Sequence, residues 1–239
     1  MDEGQVTFRP GGVRHRGEAV TSGIRYVIGG FVMHQRRVEV VRRLLQKSAT
    51  LLSSGHLPAA EKTAKYAIAQ EPSFDGAYTV LADAQRQQGR VEEAMATLEQ
   101  ALKLNPRNCE AAYSLAILKK DVSLDETIEL YRRVLRHDEG DVDAMFNLAE
   151  VLHCAGDQSG ELAMYRQCIT CDPAHEKIAS AYVNIGVTLG EQGHVDQEME
   201  MYEQAIAIEP GHVFAWYSLG AALAENGRLE EAVDKFRHI

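Results

Sequence analysis

The sequence predicts an all-α solenoid of helix-turn-helix repeats, preceded by a short β-ribbon segment. Two observations carry the solenoid. Five segments end alike: AIAQEP at 67–72, ALKLNP at 101–106, VLRHDE at 134–139, CITCDP at 168–173 and AIAIEP at 205–210. Their prolines, Pro72, Pro106, Pro173 and Pro210, stand 34, 67 and 37 residues apart, so the middle gap holds two units with Glu139 in the missing proline's place. A third observation sets the ribbon apart. Residues 1–43 carry eight Arg against four acids, whereas the rest of this chain of net charge −10 sums to −14.

Taken in order, residues 1–36 come first. Gln5–Arg9, Val13–Arg16 and Gly23–Val32 read as short strands, punctuated by Pro10-Gly11-Gly12, Gly17 and Ser22-Gly23. A ribbon of that size is marginal in water by itself, so its sheet is expected outside this chain. Six units then fill 41–239, at 41–74, 75–108, 109–141, 142–178, 179–212 and 213–239. An apolar-small pair opens most of them: Leu81-Ala82, Leu115-Ala116, Leu148-Ala149, Ile185-Gly186 and Leu219-Gly220. A turn glycine follows at Gly55, Gly89, Gly156, Gly193 and Gly227, and Tyr131, Tyr165, Tyr202 and Phe236 supply a later aromatic. Apolar residues recur at helical spacing on either side of the glycine, which ends the first helix of each pair. Small residues let paired helices approach closely, aromatics fill the space between neighbours, and the proline stops the second helix. The first unit is degenerate, with Lys47-Ser48 in place of the apolar-small pair. The third lacks its glycine, the fourth carries three extra residues near 174–178, and the last stops before its final turn.

This pattern resembles the tetratricopeptide repeat. The resemblance implies an open right-handed superhelix whose stacked first helices line a concave groove, and a scaffold that binds a protein or peptide there. The units are also similar to those of the O-linked N-acetylglucosamine transferase, in which Asn at the sixth place forms a ladder along a bound peptide. Here that place holds Val80, Ser114, Asn147, Asn184 and Ser218. An amide offers both a donor and an acceptor to a peptide backbone. One residue earlier stand Thr79, Tyr113, Phe146, Val183 and Tyr217, whose aromatics would add stacking and apolar area. Two plainer readings stay open: exposed polar residues whose loss leaves folding unchanged, and aromatics that pack between units. The chaperone-type clamp for acidic carboxyl termini is not reproduced by Leu45 and Lys47. An array that ends inside a unit is expected either to be a fragment or to meet another chain at that edge, as in self-association through the uncapped C-terminal repeat.

The ribbon resembles the last strands of the prolyl-4-hydroxylase-like 2-oxoglutarate and iron(II) dioxygenases. By that resemblance His15 is a vestigial iron ligand and Arg25, ten residues on, grips the distal carboxylate of 2-oxoglutarate. The types suit the chemistry, since imidazole binds iron and a guanidinium fork holds a carboxylate. The family's H-x-D ligands are missing. His137-Asp138-Glu139 and His194-Val195-Asp196 fall at repeat turns, in the wrong order. One His cannot hold catalytic iron, so no catalytic residue and no cofactor are expected for this chain as given. Fe(II) and 2-oxoglutarate enter only if a catalytic domain lies upstream, in which case this is the C-terminal part of such an enzyme.

Composition narrows the rest. The acidic body repels phosphate backbones, which excludes nucleic acid. The longest apolar run, Tyr26 to Met33, is far short of a membrane span, and Met-Asp-Glu-Gly is no secretory signal. Four Cys suit a reducing, intracellular setting, expected to be the cytoplasm. Cys168-Ile169-Thr170-Cys171, with His153, Cys154 and His175 nearby, has the types for zinc. Cys168 takes the place of Ala101 and Ala205 in other units, however, which predicts a core thiol beside a surface thiol.

Overall fold

The computed structural model describes the backbone of residues 28–239 and the side chains from Glu39 onward. Twelve helices follow one another in this span: α1 Ile28–Ser53, α2 Leu57–Gln70, α3 Asp75–Gln87, α4 Val91–Leu104, α5 Cys109–Lys119, α6 Leu124–Leu135, α7 Val142–Cys154, α8 Gln158–Cys171, α9 Ile178–Glu191, α10 Val195–Ile208, α11 Val213–Glu225 and α12 Leu229–Phe236. No strand occurs among the described residues. Each odd-numbered helix folds onto the next to make a hairpin, and the second helix of each hairpin packs on the first helix of its successor. Contacts are therefore local in sequence, as in any solenoid.

The predicted strand over 23–32 is corrected at residues 28–32, because α1 already runs from Ile28. Apolar residues from Phe31 and Val32 onward continue at helical spacing through Val38, Val41 and Leu45. A helix already nucleated gains one hydrogen bond per added residue, which carries it back through Gly29 and Gly30 despite their poor propensity. The rest of the expected ribbon, with His15 and Arg25, lies outside the described residues.

Local chemistry explains the turns. Gly55, Gly89, Gly156, Gly193 and Gly227 take φ of +74° to +79°, the left-handed conformation that closes a helix and costs a side chain strain. Where the third hairpin lacks this glycine, α5 is the shortest of the first helices at 11 residues. Ser123 then starts α6 by accepting a bond from the Glu126 backbone N–H. Asn108, Asp141 and Asp157 cap α5, α7 and α8 in the same way.

Side-chain size in the core is graded along the array. Between α1, α2 and α3 the fully buried side chains are mostly alanines, Ala67 and Ala77 with Val41, and Ala60 and Ala84 with Leu52, and larger ones such as Ile68 and Phe74 are only partly buried. Between the fourth and fifth hairpins it is large, with Met145, Phe146, Leu162, Tyr165, Ile185 and Leu189 in one cluster. Full burial of each such aliphatic side chain is worth about 1.5–3 kcal/mol. Polar ties also cross between hairpins. Arg90 at the start of α4 meets Glu61 of α2 at 2.5 Å, and Thr188 of α9 donates to the buried Glu161 of α8 at 2.9 Å. None of the helices among the described residues is long and apolar enough to cross a membrane.

Candidate functional site

The first helices of successive hairpins carry the residues proposed to meet a partner. Asn147 of α7 donates from Nδ2 to the Tyr113 hydroxyl of α5 at 2.7 Å, and it also faces the Tyr131 hydroxyl. Asn184 of α9 donates to the Tyr165 hydroxyl of α8 at 2.7 Å. Both amides are half-buried and anchored, which a row of free surface amides would not be. Ser114 and Ser218 are half-buried too, and neither side chain makes a hydrogen bond among the described residues.

The aromatic row divides. Tyr113 is half-buried with its ring edge-on to Tyr131, centroids 5.7 Å apart. Burial pushes its hydroxyl above the usual phenol range, and Lys177 offsets part of that. Phe146 is only 7% exposed, edge-on to Tyr165 at 5.3 Å, so it offers little surface to a partner. Tyr217 is 56% exposed and forms an open aromatic group with Phe214 and Phe236, at 6.4 and 5.9 Å.

Two features of this face were not read from the sequence. Ile117 and Val187 stand exposed three residues after Ser114 and Asn184, on the same helix face. The signal was available at that offset, where α7 has Glu150 and α11 has Ala221. Lys177 is the second. The long connection between α8 and α9 carries it back over α7, with Nζ 2.6 Å from Asp143 and 5.2 Å from the Phe146 ring centroid. Burial acts to lower the Lys177 ammonium, but Asp143 outweighs it and holds the group above its usual value. Lys120 and Glu150 pair alongside at 2.9 Å.

The metal-type residues do not converge. Cys168 is fully buried with Sγ toward the Val142 carbonyl, and burial pushes its thiol up to about 11. Cys171 is exposed and turned to the Gly140 carbonyl. Among the described residues no group of three or more His, Cys, Asp or Glu side chains is placed to hold a metal ion.

Three sequence-family models, each described as a tetratricopeptide repeat, match residues 51–117, 179–212 and 201–234, together about half the chain. The chain belongs to the tetratricopeptide-repeat family. Solved structures carry the same array. The crystal structure of MamA is 24% identical with a TM-score of 0.61, covering 66% of this chain and 91% of that one. YrrB, described as a TPR protein with an unusual peptide-binding site, is 22% identical with a TM-score of 0.63, covering 75% and 95%. A tetratricopeptide repeat protein from Parabacteroides merdae is 16% identical with a TM-score of 0.68, covering 82% and 77%. At these identities the likeness is one of fold. No curated protein sequence is a significant match.

Proposed function

We propose that this tetratricopeptide array is a protein-interaction scaffold holding an extended partner segment along the first-helix face from α5 to α11. The observation that carries the reading is the alternation on that face of anchored amides with exposed apolar side chains. Asn147 and Asn184 are held by tyrosine hydroxyls, while Ile117, Val187 and Tyr217 stand open beside them. An amide fixed by one donated bond keeps its carbonyl oxygen for a peptide N–H without a fresh ordering cost, and open apolar groups supply area to bury. Ser114 and Ser218 extend the polar row at its two ends. That YrrB is described by a peptide-binding site adds support by analogy of fold alone. The partner is a protein rather than nucleic acid, on the charge of the acidic body. The four free thiols suit a reducing intracellular compartment.

The test is selection of peptides from a displayed random library, followed by affinity measurement on Val187→Asp and Asn184→Ala. Each substitution is expected to weaken a selected peptide roughly tenfold or more, about 1.4 kcal/mol. Selected peptides that bind both variants as tightly as the parent refute the groove.

The dioxygenase reading rests on His15 and Arg25, and α1 takes residues 28–32 from its last expected strand. Its test is iron binding by the full chain. One histidine is expected to bind Fe(II) weakly, and submicromolar affinity that disappears in His15→Ala would contradict that; an H-x-D motif upstream of His15 in the reading frame would support the enzyme reading.

A further inference from the structure

Cys168-Ile169-Thr170-Cys171 puts two thiols one turn apart at the end of α8. Residues three apart in a helix have Cα atoms about 5 Å apart, inside the roughly 4.4–6.8 Å that a disulfide spans. Both sulfurs turn the same way. Cys168 donates from Sγ to the Val142 carbonyl at 3.7 Å and Cys171 to the Gly140 carbonyl at 3.6 Å, so the thiols open onto one short stretch leading into α7. They also feel each other's charge, because a thiolate at Cys171 adds to the upward push that burial exerts on the Cys168 thiol. Their access differs, Cys171 being exposed and Cys168 fully buried. Asp172 already leaves the helix, so Cys171 sits in a last turn whose carbonyls lack intrahelical partners and whose backbone can adjust at little cost. Neighbouring hairpins fill the two places with Ala101 and Leu104, and with Ala205 and Ile208, so packing there requires no sulfur. Cys154 stands apart, about 18 Å along α7 from Val142.

We propose that Cys168 and Cys171 are a reversible thiol–disulfide pair, closed by a small-molecule disulfide such as oxidised glutathione and opened by the matching thiol. Cys171 gives its proton to water and its thiolate attacks one sulfur of the external disulfide. That S–S bond breaks, and one glutathione leaves as a thiolate and takes up a proton. Cys168 then gives its proton to water and attacks Cys171 Sγ, the mixed S–S bond breaks, and the second glutathione leaves in the same way. Two electrons pass from the two protein thiols to the external disulfide, which ends as two thiols. Burial pushes the Cys168 thiol up to about 11, so it is a poor target for reagents in solvent but lies within reach of a sulfur one turn away. Once Cys171 is in the mixed disulfide its negative charge is gone, which eases loss of the Cys168 proton. Closing the pair draws both sulfurs off the Gly140 and Val142 carbonyls, so oxidation is felt where the third hairpin joins the fourth. The pair is independent of the groove reading.

Mass spectrometry of the full chain tests it, after equilibration of the folded protein with reduced and oxidised glutathione at graded ratios and an acid quench. Cleavage after Arg166 and Lys177 releases residues 167–177 with both cysteines. As the oxidised share rises, this peptide is expected to lose two hydrogens and to carry no glutathione. The internal disulfide should outnumber the glutathionylated form by roughly tenfold or more, because the second thiol is already in place. Excess reduced glutathione returns both thiols. Cys168→Ala, which copies the neighbouring hairpins, is expected to hold glutathione on Cys171, and Cys171→Ser to leave Cys168 unmodified. A parent that accumulates glutathione on Cys171 as Cys168→Ala does overturns the proposal. So does a parent whose two thiols stay free in oxidised glutathione alone, and so does an internal disulfide that forms only once urea has removed the helical signal. Should either variant lose its helicity, the parent's peptide decides alone.

Discussion

Replacing Asn184 by Ala severs the bond its amide donates to the Tyr165 hydroxyl at 2.7 Å. Tyr165 is 1% exposed, so water is poorly placed to substitute. A bond of this kind contributes about 0.5–1.5 kcal/mol net, and a buried oxygen left unmatched raises the loss toward about 3 kcal/mol. Tyr165→Phe removes the hydroxyl at little change of shape. The pair of substitutions together leaves neither group stranded, so their combined cost falls short of the sum by about 1 kcal/mol. In an array of this size that corresponds to roughly 2–4 °C in the melting midpoint. The assay is urea and thermal unfolding of the parent, both single variants and the double variant, followed by circular dichroism. Slopes must match across the four for the comparison to hold, since repeat arrays lose two-state behaviour when cooperativity breaks. A coupling indistinguishable from zero refutes the anchoring. Asn184 would then behave as a free surface residue, whose loss moves stability by under about 0.5 kcal/mol. The same variant on a selected peptide separates the roles, because the anchor acts on folding and the carbonyl oxygen acts on affinity.

Other outcomes follow from the same geometry. The Lys65 ammonium, aided by Gln88 and Arg90 and opposed by burial, holds the Glu61 carboxyl down at about 2. A depressed folded value means stability present above about pH 4.5 and lost as pH falls toward 2. Glu61→Gln is therefore expected to cost about 1–3 kcal/mol at pH 7 and nothing near pH 2, and parallel acid titrations of both proteins would contradict this. Gly186→Ala sets a Cβ 2.5 Å from the buried Tyr202 ring. Overpacking costs typically 1–3 kcal/mol against a helix-propensity gain of about 1, so the variant is expected to melt lower, and a higher midpoint would overturn the clash. Glu161→Ala removes the acceptor that the buried Thr188 hydroxyl meets at 2.9 Å but leaves it the Asn184 carbonyl at 3.1 Å, so it is expected to cost about 0.5–1.5 kcal/mol in urea melts, with no change marking the tie as idle. Native-state thiol titration is expected to find Cys154 and Cys171 fast and Cys168 silent, because burial removes its thiolate, and rapid modification of Cys168 counts against that burial.

The helical pairs were legible because their signals are local. Glycine at a left-handed turn, a small residue at a crossing and an aromatic on a fixed face each declare themselves by spacing. The end of the expected strand, residues 28–32, misled for the converse reason. A short apolar run between glycines fits a strand or a helix equally well, and what decides is the helix that continues beyond it. Asn147 and Asn184 show a second limit. Their place on a first helix follows from periodicity, but their tyrosine partners lie 34 and 19 residues away in sequence. Phe146 shows the same limit from the other side, since only three-dimensional packing reveals that its ring is spent against Tyr165. Lys177 was hidden in an insertion, where register gives no instruction about direction.

The gradation of core side chains has a mechanical consequence. In a one-dimensional array each hairpin is held only by its neighbours, so local cohesion follows local side-chain size. The stretch from α7 to α9, locked by tyrosine, phenylalanine, leucine and isoleucine, is the stiff keel of the molecule. The alanine-lined joint at α1–α2 and the sparsely covered α12, whose Ala232 is its lone buried side chain, are its compliant ends. Backbone amides are therefore expected to exchange with deuterium in a profile that is slowest amidships and quickens toward both extremities. Strain applied between the termini would peel hairpins from the outside inward, so the middle of the array is the last part to lose its shape.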